Sequence, residues 1–414
     1  MGTVAQPVDI YDPDWYLGDD VHETFARLRR DDPVHWQDIE GQAGYWAVLR
    51  HADLVHVARH PELFSSWLGS VVLEDLDTEQ LELMRHMLLV MDPPGHTAYR
   101  KPLAPHFGAR VIGQLEGRIR AQCRSILAAA GDRDEVDLVR DVAGPLPARI
   151  IAGIMGLPAA DAPRIQRWAE AMVAGQDEEV AGADPGSASI EMAVYGIELA
   201  TARRAAPPPP EPEDITDLLL GTTFEDGRPM SDVDFGSFFV QLVTAGNDTT
   251  KAMMSAGVLE LIRHPDQLAA LRADPALVPD AVEEMLRHCN PLHYFRRTAT
   301  ADTVLGGKQI RAGDKLALVY TSANRDEDVF ADPQAFDIRR SPNPHLSFGI
   351  GTHFCLGAHL ARLEARVFVE ELLAAFGTIE LAGEPARVRS NLANGYKRLP
   401  VRLVSPDVSS RGSP

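Results

Sequence analysis

The stretch at residues 345–362, HLSFGIGTHFCLGAHLAR, constrains the chain more than any other. It sets one cysteine, Cys355, among glycines at 349, 351 and 357, with His353 two residues ahead of it. Glycine lets a backbone turn tightly and lets a flat ligand approach where a side chain would block it. An amphipathic run begins at once, with Leu356, Leu360, Leu363 and Val367 recurring at helical spacing. The loop therefore delivers a thiol to a helix N-terminus, where free amide N–H groups and the helix dipole favour the thiolate. That setting suits a sulfur that stays anionic on a metal. A lone cysteine is more often a small buried apolar side chain, so Cys355 by itself does not decide between the two.

Composition narrows the classes. Of 414 residues 45% are hydrophobic, enough for a large core. No run approaches the 18 or more apolar residues of a membrane span. The first twenty residues lack the basic and apolar regions of a secretory signal, so a soluble, cytoplasmic protein is expected. Three scattered cysteines, Cys123, Cys289 and Cys355, fit a reducing compartment. They are too few for a four-thiolate iron–sulfur cluster, so any electrons would come from another protein. A formal charge of −20 argues against nucleic acid. One local exception is basic: Arg100, Lys101, Arg110, Arg118, Arg120 and Arg124, with Glu116 the single acid among them. It is either a solvated helix face or a docking surface for an acidic redox partner.

In chain order, the patterning predicts a helix over 22–30, a strand over 45–50, a helix over 52–60 and an irregular stretch over 61–91. Prolines then open a helix on which His96 and Arg100 share a face. Helical periodicity follows over 110–129, 142–155 and 162–173, with a loop expected over 176–189. The run PPPPEPEDITD reads as a stiff connector inside one domain. The longest helix is expected over 231–264, apolar nearly all round and so buried on every side. AGNDTT breaks it at 245–250; Gly246 weakens it by about 1 kcal/mol, and Thr249 or Thr250 can bond back one turn. An acid beside an alcohol at such a break also supplies a proton donor and a relay. A helix over 280–289 carries Glu284 and Arg287, ordinarily a weak surface pair. Strands are expected over 298–305, 315–320, 378–381 and 399–404, with Asn394-Gly395 as a hairpin tip and a disordered tail.

Together, Phe348-x-x-Gly351-x-His353-x-Cys355-x-Gly357 resembles the haem-binding loop of the cytochrome P450 family, the haem-thiolate monooxygenases. The resemblance implies that Cys355 is the axial thiolate on the iron of haem b, with Phe348, Gly349 and Gly357 around it and His353 donating to a propionate. DPPGHTAYR is similar to the family's propionate-binding string, which gives His96 and Arg100 that role, and Arg297 is implied beside them. AGNDTT resembles the oxygen-activation motif, with Ala245 against the haem and Asp248 and Thr249 managing protons. Glu284, Arg287 and Arg340 match a buried structural clamp. Leu242, Ala245, Leu292, Phe295, Asn394 and Tyr396 would border substrate, with 61–91 covering the pocket; His293 and Tyr294 are further candidates.

The resemblance implies a mainly α fold with a small β region, one domain over 1–404 with a tail at 405–414, and haem between the central and cysteine-side helices. The implied activity is hydroxylation or epoxidation of a neutral, largely apolar small molecule with O2. Electrons would come from a ferredoxin and its NAD(P)H-fed reductase. The motif wording, SNLANGYKRLPV included, is similar to actinobacterial members acting on sterols, terpenoids or fatty chains. Two alternatives stand beside this: bond coupling or peroxide-driven oxidation, and a non-catalytic haem sensor or carrier, which would not need the acid–alcohol pair.

Overall fold

A computed structural model describes residues 8–173, 176–181, 185–207, 210–224 and 227–406. Its axis is the helix Asp232–Arg263, 32 residues and about 48 Å long. Ser231 starts it with a capping box: its hydroxyl accepts from Asp234 N–H at 3.1 Å, and the Asp234 carboxylate accepts from Ser231 N–H at 3.1 Å. Pro265 opens the next helix and so ends this one. The all-round apolar sequence is met by packing on all sides, from helices Pro145–Ile154, Ala162–Val173, Pro185–Ala205, Val278–His288 and Ala358–Ala375. Gly246 is where one neighbour closes in. A Cβ there would lie 2.7 Å from Ile151 Cδ1, so the glycine serves close packing; the expected break at 245–250 is absent, the helix running through it unbroken because packing on all sides offsets the weak propensity of one glycine.

The main sheet of the small β region has five strands, ordered Val34–Ile39, Gln42–Val48, Lys315–Val319, Tyr294–Ala299, Phe64–Ser65; among the described residues a three-stranded sheet and two two-stranded ones accompany it. Only the Gln42–Val48 and Lys315–Val319 pairing is parallel. Separate apolar clusters cover its two faces, and the main core lies among the helices.

Several expectations need correction. The hairpin partner Val34–Ile39 was not foreseen, although Gly41, at φ +74°, makes its turn. The stretch 61–91 is not wholly irregular: it holds Phe64–Ser65 and the helix Thr78–Met84, capped by Asp77 and Gln80. That helix buries no residue, so it has no apolar stripe to read. The loop expected over 176–189 contains Glu178–Ala181 and the start of Pro185–Ala205. The helix over 110–129 is split into Ala109–Gly113 and Glu116–Gly131. Asn394-Gly395 is not a hairpin tip; strands Ala386–Arg387 and Tyr396–Arg398 pair across a longer loop. The tail lies outside the described residues beyond Pro406, as do residues 208–209 of the proline run.

The basic island is largely answered from within. Arg120 binds Glu371 at 2.6 Å, Glu370 at 2.6 Å and Glu116 at 2.8 Å, and Arg124 binds Glu371 at 2.7 Å. Arg118 donates to Gly153 O at 3.2 Å. The acids Glu370 and Glu371 sit on the cysteine-side helix, some 250 positions away and invisible to a local charge count.

Glu364, on the same helix, is 1% exposed, and its Oε2 has no partner among the described residues. Burial pushes its carboxyl up to about 8. The folded chain therefore keeps a proton that the unfolded chain releases above the ordinary glutamate value. Stability is full below about pH 4.3 and falls as pH rises towards 8. Glu364→Gln is expected to stabilise the protein at pH 8 by on the order of 3 kcal/mol and to be near neutral at pH 4. Thermal unfolding of both proteins at the two pH values checks this; equal differences at both would contradict it.

Candidate active site on the cysteine loop and central helix

Cys355 N–H donates to Phe348 O at 2.8 Å, folding the loop back on itself, and Gly357 N–H donates to the sulfur. Gly351 has φ +74°, and a Cβ there would fall 2.5 Å from Ala58 O, so the loop docks on helix His51–Arg59 only with glycine at this point. The Phe348 ring lies 4.5 Å beneath the Arg362 guanidinium, itself held by Glu283 at 2.6 and 2.8 Å. Burial raises the Cys355 thiol above its ordinary pKa, while Gly357 N–H, Arg100 and Arg362 draw it back. Burial with one backbone N–H on the sulfur and two arginine charges near it favours an anion whose charge is shared with a metal.

Beside the loop is a cluster of cationic and donor groups. The rings of His96 and His353 are 4.4 Å apart. Both imidazoles sit below their ordinary pKa, first by burial: His96 at about 4, where Arg100 and Arg297 add repulsion, and His353 lower still, where Arg297, His96 and Arg100 do. Arg297 is 5% exposed, and its Nη1 donates to Arg296 O at 2.8 Å. His96 Nδ1 is buried without a partner among the described residues. Two arginines that make charge on both imidazoles more costly, set beside two histidine rings, form a site for an anion.

On the central helix, Leu242, Ala245 and Thr249 share one stripe and stay partly exposed where most of the helix is buried. Thr249 Oγ1 donates to Ala245 O at 2.7 Å, so in this rotamer the hydroxyl has its lone pairs left to accept. Asp248 is 5% exposed and pairs with Lys251 at 2.5 Å; Lys251 also meets Glu170 at 3.2 Å. Burial sets the Asp248 carboxyl above the ordinary aspartate range, with Lys251 offsetting part of this. Burial would depress Lys251, but Asp248 and Glu170 hold it above its usual value.

The structure brings Glu284, Arg287 and Arg340 together. Arg287 meets Glu284 at 2.7 Å with both fully buried, and Arg340 meets it at 3.1 Å. Phe295 sits edge-on to Tyr320 at 6.1 Å, and Leu292 bridges to Ala393. Other expected pocket groups are engaged elsewhere. Asn394 donates to Asn290 O at 2.8 Å and accepts from Arg387 at 3.3 Å. Tyr396 is buried in the main core, bonded to Arg263 and beneath Arg387. His293 meets Thr321 at 2.8 Å, and the Tyr294 hydroxyl accepts from Leu73 N–H. Strand pairing and core packing, which a motif does not encode, orient these four.

Sequence reasoning missed Lys251 and Glu170. Lys251 had a legible signal: it is the lone base between Asp234 and Arg263 in an apolar helix, three residues after an acid. Glu170 had none, being remote in sequence.

The family model for cytochrome P450 matches residues 195–387. A steroid C26-monooxygenase from Mycolicibacterium smegmatis is 37% identical over 385 residues, covering 91% of this chain and 88% of the relative. The chain belongs to the cytochrome P450 family. A methyl-branched lipid omega-hydroxylase from Mycobacterium tuberculosis is 39% identical over 402 residues, covering 94% and 92%. Among solved structures, a Mycobacterium marinum cytochrome P450 in complex with pseudoionone superposes with a TM-score of 0.87 at 36% identity, covering 97% of this chain and all of that one. The protein is thus a P450 monooxygenase with the P450 fold, and its cofactor is haem b. The residues present fit that group: a buried sulfur that accepts from Gly357 N–H with Arg100 and Arg362 favouring its charge, and next to it the cluster of two arginines and two histidines that includes the orphaned His96 Nδ1, suited to carboxylates. No helix among the described residues is long and apolar enough to cross a membrane.

Proposed function

We propose that this P450 hydroxylates or epoxidises a neutral, largely apolar small molecule, with electrons from a separate ferredoxin and reductase. Haem b, when bound through a thiolate, supplies the binding and activation of O2. In this reading Cys355 is the thiolate, Phe348 and Gly349 shield it, and Gly357 N–H steadies its charge. His96, Arg100, Arg297 and His353 hold the propionates. Leu242, Ala245, Leu292 and Phe295 border substrate. Asp248 holds the proton, and the Thr249 hydroxyl, its own proton committed to Ala245 O, accepts a hydrogen bond that positions the group to be protonated. The observation that carries the reading is this pair: a buried acid beside an accepting alcohol on a partly exposed stripe of the central helix, Leu242, Ala245 and Thr249.

The ferredoxin reading is supported by cysteine count: of the three in these 414 residues, Cys123 and Cys289 are buried with thiols raised to about 12 and beyond. We read residues 1–404 as one domain, since helices on both sides of the proline run pack together through Gly196 and Gly236. The apolar substrate class is supported by the relatives' names, which specify steroid and methyl-branched lipid. A spectral titration of the purified holoenzyme with steroid, branched fatty acid, terpenoid and macrolide panels tests it. A low-to-high-spin shift with a steroid, branched lipid or terpenoid, followed by product from NADH only when ferredoxin and reductase are added, is the expected result. Product from peroxide alone would overturn the electron route.

A further inference from the structure

Arg118, from the basic island, and Arg149 stay outside every ion pair among the described residues, whereas Arg120 and Arg124 are met by Glu370 and Glu371. They stand on neighbouring helices, Glu116–Gly131 and Pro145–Ile154. Two ties cross between these helices: Arg118 Nη1 donates to Gly153 O at 3.2 Å, and Arg149 Nη1 donates to Gln122 Oε1 at 3.4 Å. Residues 118 and 122 are four apart, as are 149 and 153, so each pair shares a face. The ties therefore set the two guanidiniums about one turn, roughly 6 Å, apart along the helix pair. Gly153 seats the first. A Cβ there would fall 1.6 Å from Arg118 Nη2 and 2.5 Å from its Cζ, so the guanidinium lies against bare backbone.

Both arginines, with Gln122 and Gln166, line a cleft of about 460 Å3 where these helices meet helix Ala162–Val173. The volume is that of a small-molecule site. Its floor is apolar, with Ala148, Ala152 and Leu157 buried beneath it. No aspartate or glutamate lines it, in a chain of formal charge −20, and none of the haem-side residues does. Gln122 Oε1 is committed to Arg149 and Gln166 Nε2 to Glu170, which leaves one amide NH2 and one amide oxygen for a ligand. Two cations this close without a carboxylate repel each other, and an anion between them removes that cost. An inorganic ion would meet the charge and leave the apolar floor wet; an alcohol would cover the floor and leave the charge.

We propose that this cleft is a second binding site, separate from the haem pocket, for a small amphipathic carboxylate. The carboxylate head lies between Arg118 and Arg149, with the Gln122 amide as a further donor. The apolar body covers Ala148, Ala152 and Leu157. The site does not depend on what the haem pocket oxidises.

The test uses the haem-loaded full-length protein with its haem pocket closed by 4-phenylimidazole, so that binding elsewhere is what is read. Hexanoate, hexan-1-ol and inorganic phosphate are titrated calorimetrically at low and at high sodium chloride. Hexanoate is expected to bind once per chain, about tenfold tighter than either of the others, and more weakly as salt rises. Arg149→Gln should weaken it about tenfold, Arg149→Lys less, and Gly153→Ala about as much as Arg149→Gln because the new methyl moves Arg118 off its seat. The Soret band should stay unchanged throughout. If Gly153→Ala fails to fold, Arg149→Gln decides, since that side chain is exposed. Hexan-1-ol or phosphate binding as tightly as hexanoate overturns the class of ligand. Hexanoate binding that Arg149→Gln leaves intact, or no binding at all, overturns the site.

Discussion

Glu284→Ala is expected to lower the stability of the folded protein by about 3–5 kcal/mol, a large share of what a domain has. The carboxylate is fully buried and accepts six hydrogen bonds from four residues: two from Arg287, two from Arg340 Nε, and one each from Asp337 N–H at 2.8 Å and Asn343 Nδ2 at 3.2 Å. Removing it strands the Arg287 guanidinium, which is also fully buried, among the carbonyls of Asn324, Pro333 and Ala335. Those carbonyls satisfy N–H groups but do not cancel the charge. Urea unfolding with tryptophan emission and haem absorbance measures the loss. A loss under about 1 kcal/mol would reduce the trio to the value of a surface pair.

The second large effect is on chemistry. Asp248→Asn is expected to lower coupled turnover by roughly 10²-fold, the contribution usual for a positioned general acid. The amide matches the carboxyl in shape and burial but gives up no proton, and it leaves Lys251 with Glu170 as its remaining carboxylate. Thr249→Ala is expected to keep haem while diverting electrons to peroxide, because the accepting hydroxyl beside Ala245 is gone. Product and peroxide per NADH separate the two variants. Full coupling in Thr249→Ala would remove the threonine from the relay.

The site was legible where chemistry needs residues close in sequence. The cysteine loop, the Asp248–Thr249 pair and the Glu284–Arg287 spacing each sit within one turn or loop, and their proximity follows directly from the chain. The central helix was legible for a related reason, since burial on all sides leaves an unbroken apolar run ended by proline. What failed was set by partners far away. Arg120 and Arg124 look like a free basic face until Glu370 and Glu371 arrive from the cysteine-side helix. Helix Thr78–Met84 is written in its caps rather than in any apolar stripe, so periodicity passes over it.

The central claim is that the sulfur at 355 ligates haem iron as a thiolate, and the reduced carbon-monoxide difference spectrum reads it directly. The wild-type protein should show the far-red-shifted Soret band of thiolate ligation, and Cys355→Ser should lose that band. A wild-type adduct without the shift, or a serine variant that retains it, would contradict the account.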